Sequence, residues 1–371
     1  MEQERATLSL KPGSAQYLDP NSFLRWGPVT ARPHFDSSFS YSTGLRSQAG
    51  VAEKVVSERI SPGILLEIGP KWRLDYTPSL TFYSSKNFKD TLDHSVLFAG
   101  GTTYNDWAFT LSQGYTSSSQ SLIETGRQTD QENFDTAIGA SHYLNSKLML
   151  QLGVNQSFRS ADSLNSSRSW STMDWLNYQI APRFSIGAGL GGGFEDVKTG
   201  SDMTYEMVQG RVDARIAEKL NLSIHAGGEL RQILESDADP LLNPIYGASL
   251  IYHPFTQTTL SLAGNRTVSA SLLFGQVTES TDISVGLTQR LFGAVSAGLS
   301  AGFRNTRFLF TTAGTSLSRE DDSFTFAGSL GYTFLKRGSI GVSYAQSENS
   351  SSDQSFSQTT RQVSLNLGYR F

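Results

Sequence analysis

The chain contains no cysteine, which removes disulfide frameworks, cysteine-ligated metals and thiol nucleophiles together. None of its 371 residues belongs to an apolar run of the length a spanning helix needs, roughly 20 positions. The best candidate, Ile64 to Ile68, contains Glu67 and runs straight into Gly69-Pro70. Basic blocks are missing too: 30 Lys and Arg stand against 34 Asp and Glu without clustering, so nucleic acid is set aside as a partner. The start, Met1-Glu2-Gln3-Glu4, has neither a basic n-region nor an apolar core, and an export leader is therefore expected to have been removed. Catalytic spacings of the HExxH and P-loop kinds are also absent.

What remains that might carry chemistry is sparse. His34, His94, His142, His225 and His253 are scattered, and serine is so common that Ser141-His142 reads as strand rather than as a catalytic pair. Glu235, Asp237 and Asp239, and likewise Glu320, Asp321 and Asp322, offer oxygen ligands to Ca²⁺, but read first as solvated loops. The expectation is no enzyme, no cofactor and no metal site.

Alternation is plentiful, and apolar residues at every second position mark strands with two unlike faces. Val363, Leu365, Leu367, Tyr369 and Phe371 alternate with Ser364, Asn366, Gly368 and Arg370. Trp72, Leu74, Tyr76, Leu80 and Phe82 do the same against Arg73, Asp75, Thr77, Ser79 and Thr81. Short turns are expected at Gly69-Pro70, Asn105-Asp106, Asn145-Ser146, Ala181-Pro182, Glu218-Lys219, Pro254-Phe255, Phe292-Gly293 and Lys336-Arg337. Their spacing of roughly 36 to 44 residues is that of a repeated hairpin. Between them lie polar stretches such as Ser117 to Asp135, Ser160 to Ser169, Glu235 to Asn243, Thr311 to Asp322 and Ser347 to Thr359, expected to be long loops at the opposite end.

Short turns at one end and long connections at the other are the pattern of a transmembrane β-barrel. With Phe35 to Leu45 as the first strand, the fold class is all-β, an antiparallel up-and-down barrel of about 18 strands, 16 being the alternative. Residues 1–31 do not alternate and are expected to form a periplasmic or plug segment, with the barrel over 32–371. A soluble sandwich is disfavoured because its strands average only ~5–6 residues. An aromatic girdle is expected near the short turns at Trp72, Tyr104, Trp107, Tyr143, Phe184, Tyr252 and Phe334. The complementary polar face turns Arg73, Asp75, Arg211, Asp213, Arg215, Glu229, Arg231, Arg304 and Arg370 toward a lumen. These give either a mild anion preference or mutual neutralisation across the wall. The small residues of Gly187 to Gly193 and Ala294 to Gly302 would suit a flat outer face for self-association or simple strand curvature.

The last strand, with Val363, Leu365, Leu367, Tyr369 and the terminal Phe371, resembles the assembly signal of bacterial outer-membrane barrels. The lead-in Leu24-Arg25-Trp26-Gly27-Pro28, then Pro33 and the strand from Phe35, is similar to a family of β-barrel porins often associated with exopolysaccharide loci. That resemblance implies an outer-membrane channel for hydrophilic solutes, polysaccharide among them, working without covalent chemistry. It implies outer-membrane lipids, lipopolysaccharide and the barrel assembly machinery as partners. A plugged scaffolding barrel of a secretion assembly is the alternative, and a barrel hydrolase the least favoured reading.

Overall fold

The computed structural model describes residues 24–48, 51–122, 124–162, 164–234, 239–310, 316–335 and 337–371, with backbone only at 316 and 317. Its strands are β1 (Arg25–Trp26), β2 (Val29–Arg46), β3 (Ala52–Ile68), β4 (Trp72–Tyr83), β5 (Thr91–Tyr104) and β6 (Trp107–Leu122). There follow β7 (Arg127–Tyr143), β8 (Leu148–Ala161), β9 (Ser167–Ala181), β10 (Phe184–Val197), β11 (Met203–Ala217) and β12 (Leu220–Ile233). The last are β13 (Leu241–Tyr252), β14 (Thr258–Ala270), β15 (Gln276–Leu291), β16 (Val295–Phe310), β17 (Ser316–Phe334), β18 (Gly338–Ser351) and β19 (Gln358–Arg370).

Each strand from β2 to β19 pairs antiparallel with its sequence neighbours, and β19 returns to β2 through Leu365↔Phe39 and Arg370↔His34. The result is a closed barrel of 18 strands with both ends of the wall at the short-turn end. Beyond the strand, the Phe371 N–H donates to the Pro33 carbonyl at 2.9 Å, which ties the two ends together. β1 is a two-residue flap on β2.

All eight expected turns fall between paired strands, and Lys336 of the last one lies outside the described residues. At Asn105 the backbone enters the left-handed region, φ 50°, which asparagine tolerates because its short amide bonds locally. The opposite connections differ from expectation. They span only four to seven residues, and the stretches Ser117 to Asp135, Thr311 to Asp322 and Ser347 to Thr359 are more strand than loop, β6 running to Leu122 and β7 starting at Arg127. Strands therefore reach 19 residues, in β17, well beyond the ~9–11 needed to cross a membrane tilted.

Register sorts the wall into two faces. Leu330, Val342, Leu365 and Phe39 form one row across β17, β18, β19 and β2, each about half exposed although fully apolar. The neighbouring row, Ser329, Ser343, Ser364 and Ser40, points the other way. A half-exposed belt of Leu, Val, Ile and Phe is stable only against an apolar solvent. One seam interrupts the ladder: Pro62 on β3 and Pro78 on β4 stand opposite each other, and pairing lapses between Ile60↔Leu80 and Ile64↔Tyr76. Proline has no N–H to give. On the inner face Ser61 and Ser79 share a hydroxyl hydrogen bond of 2.7 Å across that gap.

Candidate functional site

The lumen has two unlike halves. Along β16 to β19 and β2 its wall is small and hydroxylated, as in the serine row above. Along β8 to β13 it carries long side chains, made possible by one strand. Gly187, Gly189, Gly191 and Gly193 occupy successive inward positions of β10. A Cβ at Gly189 would meet Met173 Cε at 2.5 Å and Trp175 Cε3 at 2.7 Å, and one at Gly193 would meet the Tyr205 ring at 2.5 Å. Without side chains on β10, its neighbours' rings lie flat against the wall, and Trp175 is 6% exposed.

On that platform sits Arg211, its guanidinium carbon 4.4 Å from the Trp175 ring centroid, a cation–π stack. Its Nη2 donates to Gln151 Oε1 at 2.6 Å and to Asn177 Oδ1. Asp213 lies 3.3 Å from its Nε and accepts from Ser223 Oγ at 2.7 Å. A cavity of about 580 Å³ opens beside it, bounded by Tyr143, Lys147, Gln151, His225, Ser249 and Ser284 among others. Trp175, Gln151 and Asn177 were not singled out in the sequence. Their signal was present, since Leu176, Tyr178 and Ile180 alternate with them.

The nine residues expected on the inner face occupy three levels. At the turn end, Arg73, Asp75 and Arg370 share the wall with Arg32, which bonds Glu67 at 2.9 Å, and with His34. His34 stands between Asp36 at 3.5 Å and Asp75 at 3.3 Å. Arg215, opposite Asn221 beside the Glu218-Lys219 turn, also belongs to the turn end, and Arg211 and Asp213 lie above it. At the loop end Arg304 bonds Asp282, whereas Arg231 and Glu229 are buried at 2% and 4% exposure and line no water. Arg231 lies 2.8 Å from Glu229 and 3.1 Å from Glu195. Opposite charges thus meet within the wall at each level.

On the outer face, Trp72, Tyr104, Trp107, Phe184, Tyr252 and Phe334 all stand next to short turns, Trp72 stacked on Phe98 and Trp107 on His142. Tyr143 differs from expectation: it pairs with Met149 on the inner face and borders the cavity. The inward direction of Gly187, Gly189, Gly191 and Gly193 likewise departs from a flat outer patch. Val363, Leu365 and Leu367 point outward about half exposed, and Tyr369 meets Phe371 edge-on at 4.7 Å. Glu320 and Asp322 accept from Asn305, and Asp321 pairs with Arg319 at 3.1 Å. Glu235 and Asp237 lie outside the described residues, as do residues 1–23.

The mouth at the loop end is spanned by strand ends rather than by long loops. β14 pairs with β13 only from Leu260↔Tyr252 up to Arg266↔Tyr246, yet stays paired with β15 as far as Ala270↔Val277. The hairpin tip, released from β13 but held to β16 as far as Gln276↔Phe310, crosses the opening as a strap. Its Leu272 N–H and Ser271 hydroxyl donate to Glu124 Oε1 at 2.7 and 2.8 Å, and the Leu272 carbonyl accepts from the Asn165 N–H at 2.9 Å. Glu124 follows β6, eight strands from β14 in a ring of 18, nearly the opposite wall. Nearer home, Val268 O accepts from Arg231 at 3.3 Å and Ala270 N–H donates to Glu195 at 3.3 Å. Val277, fully buried, packs with Val197, Met203, Ile233, Ala270 and Leu309.

Arg319 reinforces the crossing. Its guanidinium lies between the Phe308 and Phe356 rings, 3.9 and 3.8 Å from their centroids, and donates to the Glu124 carbonyl at 3.3 Å. Burial pushes its pKa below the usual arginine value, while Asp321, Glu124 and Asp353 pull it back up.

No family model matches the chain, and no curated protein matches it. Among solved structures, it is similar to Pseudomonas aeruginosa OccK11 (OpdR), at 12% identity and TM-score 0.46 over 92% of this chain and 96% of that one. It is also similar to Acinetobacter baumannii OccAB4, at 11% identity and TM-score 0.47 over 92% and 98%. The siderophore receptor PirA from P. aeruginosa is a further likeness, at 10% identity and TM-score 0.43 over 90% and 80%.

Proposed function

We propose that this barrel is an outer-membrane, porin-like channel for hydrophilic solutes, with its short turns in the periplasm and its strand extensions outside. The observation that carries the reading is the two-faced closed wall. In lipid every backbone polar group must be satisfied internally, which a barrel without edges achieves. A belt of apolar residues outside and hydroxyls, amides and paired charges inside suits lipid on one face and water on the other. Barrels of ~16–18 strands leave an aqueous channel.

Transport in this reading is passage along a hydrated wall. A solute exchanges hydration water for wall hydroxyls and amides. The charges Arg32–Glu67, Arg211–Asp213 and Arg304–Asp282 are met locally, while Arg73, Arg215 and Arg370 stand near the turn end without an ion pair among the described residues. The field along the path is therefore weak and selection by sign is small, with a mild lean toward anions. The hydroxyl-rich half of the lumen, together with the family resemblance of the sequence, supports a polysaccharide as one exported solute. The inner hydroxyls favour passage over catalysis, since Ser40 bonds Ser364 and Ser61 bonds Ser79 rather than a base. The apolar belt supports lipid and lipopolysaccharide as surroundings, and the C-terminal strand supports recognition by the assembly machinery.

Swelling of proteoliposomes in isotonic sugars of increasing size tests this. Permeation of mono- and disaccharides with a size cutoff is expected, and no swelling from protein shown to be inserted contradicts it. The bridged mouth favours a second reading, a closed barrel that holds a secretion partner, and that reading predicts silence with every solute.

A further inference from the structure

We infer that the β14–β15 strap is a two-position gate, with the strap across the mouth in one position and zipped onto β13 in the other. This rests on the channel reading above for its consequence, though not for its geometry. Both sides of the seam are strand edges. β13 is paired with β12 up to Leu241↔Arg231, but beyond Tyr246 it has no partner in β14. Continuing the register past Tyr246↔Arg266 opposes Ile245 to Thr267, Pro244 to Val268, Asn243 to Ser269 and Leu242 to Ala270.

The strap's backbone is satisfied in the crossing position by side chains standing where a strand would stand. Arg231 donates to Val268 O, and Glu195 accepts from Ala270 N–H. Zipping exchanges these for the main chain of β13. The exchange is incomplete at one position. Val268 O turns toward the β13 side, and the residue opposite it in the continued ladder is Pro244, which has no N–H to offer. This proline biases the hinge toward the crossed position. On the β13 edge, Asn243 is 3% exposed and its Nδ2 has no hydrogen-bond partner, a cost that rearrangement of the seam relieves. Two arrangements of one element, each satisfied by different groups, are what a gate requires.

The absence of native cysteine makes paired-cysteine locks clean. Asn165→Cys with Leu272→Cys fixes the crossed strap, because a 2.9 Å main-chain bond already joins these residues. Asn243→Cys with Ser269→Cys fixes the zipped strap, since both would share the inner face of the continued ladder. Refolded proteins, checked for barrel folding by heat-modifiable migration, are oxidised, scored for crosslinking by gel shift, then recorded in planar bilayers. Both pairs are expected to crosslink. The first should hold the smaller conductance until reduced, the second should give a severalfold larger one, and Pro244→Ala should shift the uncrosslinked protein toward the larger level. Crosslinking of the first pair alone, in folded protein of both kinds, overturns the gate. Crosslinking of both pairs with no current in either sustains the two positions of the strap and overturns the channel reading instead.

Discussion

Arg231 holds its charge in a place almost without water, 2% exposed between Glu195 and Glu229, with the Tyr205 ring 4.7 Å from its guanidinium carbon. Removing one member of a buried ion group leaves the others uncompensated, at about 3–5 kcal/mol, whereas replacing all members together is often neutral. Arg231→Gln should therefore destabilise the refolded barrel by about that amount in urea titrations in lipid vesicles. The combination Arg231→Met, Glu195→Gln and Glu229→Gln should recover most of the loss. A single variant as stable as the parent would mean that the triad is not dehydrated. The inward direction of Glu229 and Arg231 was legible from parity. Their burial was not, because the strap that covers them arrives from further along the chain, Val268, which accepts from Arg231, lying 37 residues on. Trp175 is legible in the sequence, since its own strand places it with Asn177 and Gln179, on the face opposite Leu176, Tyr178 and Ile180. For Tyr143 the deciding fact is its register opposite Met149, which a single strand does not reveal.

At the scale of the element, β10 joins the two faces most tightly. Its inward glycines leave room for Trp175 and Met173, and its outward positions Ile186, Leu190 and Phe194 are 41%, 65% and 36% exposed. Gly189→Val should overpack the platform, costing about 1–3 kcal/mol, while Ala188→Val on the lipid side should be close to neutral. Denaturation of the two variants side by side checks this, and equal stability would contradict the flat-ring arrangement. Leu190→Arg should cost about 2–4 kcal/mol near the bilayer midplane, and Ser185→Arg on the inner face of the same strand far less. A reversed order in vesicle-folding titrations would place lipid on the wrong face. The strand extensions were the element hardest to read. Above the membrane both faces meet water, so the contrast between alternate residues fades and a stretch such as Ser117 to Asp135 looks like a loop while it continues β6 and β7.

For the whole molecule, closure and strand number were legible because each hairpin repeats the same contrast and each turn carries its own chemistry, as at Gly69-Pro70 and Asn105-Asp106. The strap was not, since nothing in the alternation of Leu260, Leu262 and Gly264 tells where β14 parts from β13; Pro244 is its one trace in the sequence. The central claim is that the lumen is a continuous, weakly selective aqueous path. Single-channel recording of the refolded chain under a potassium chloride gradient tests it most directly. The account predicts discrete conductance steps with a reversal potential near zero, because opposite charges meet at each level of the lumen wall. Folded, inserted protein that passes no current, or one whose reversal potential follows a single ion, would contradict it.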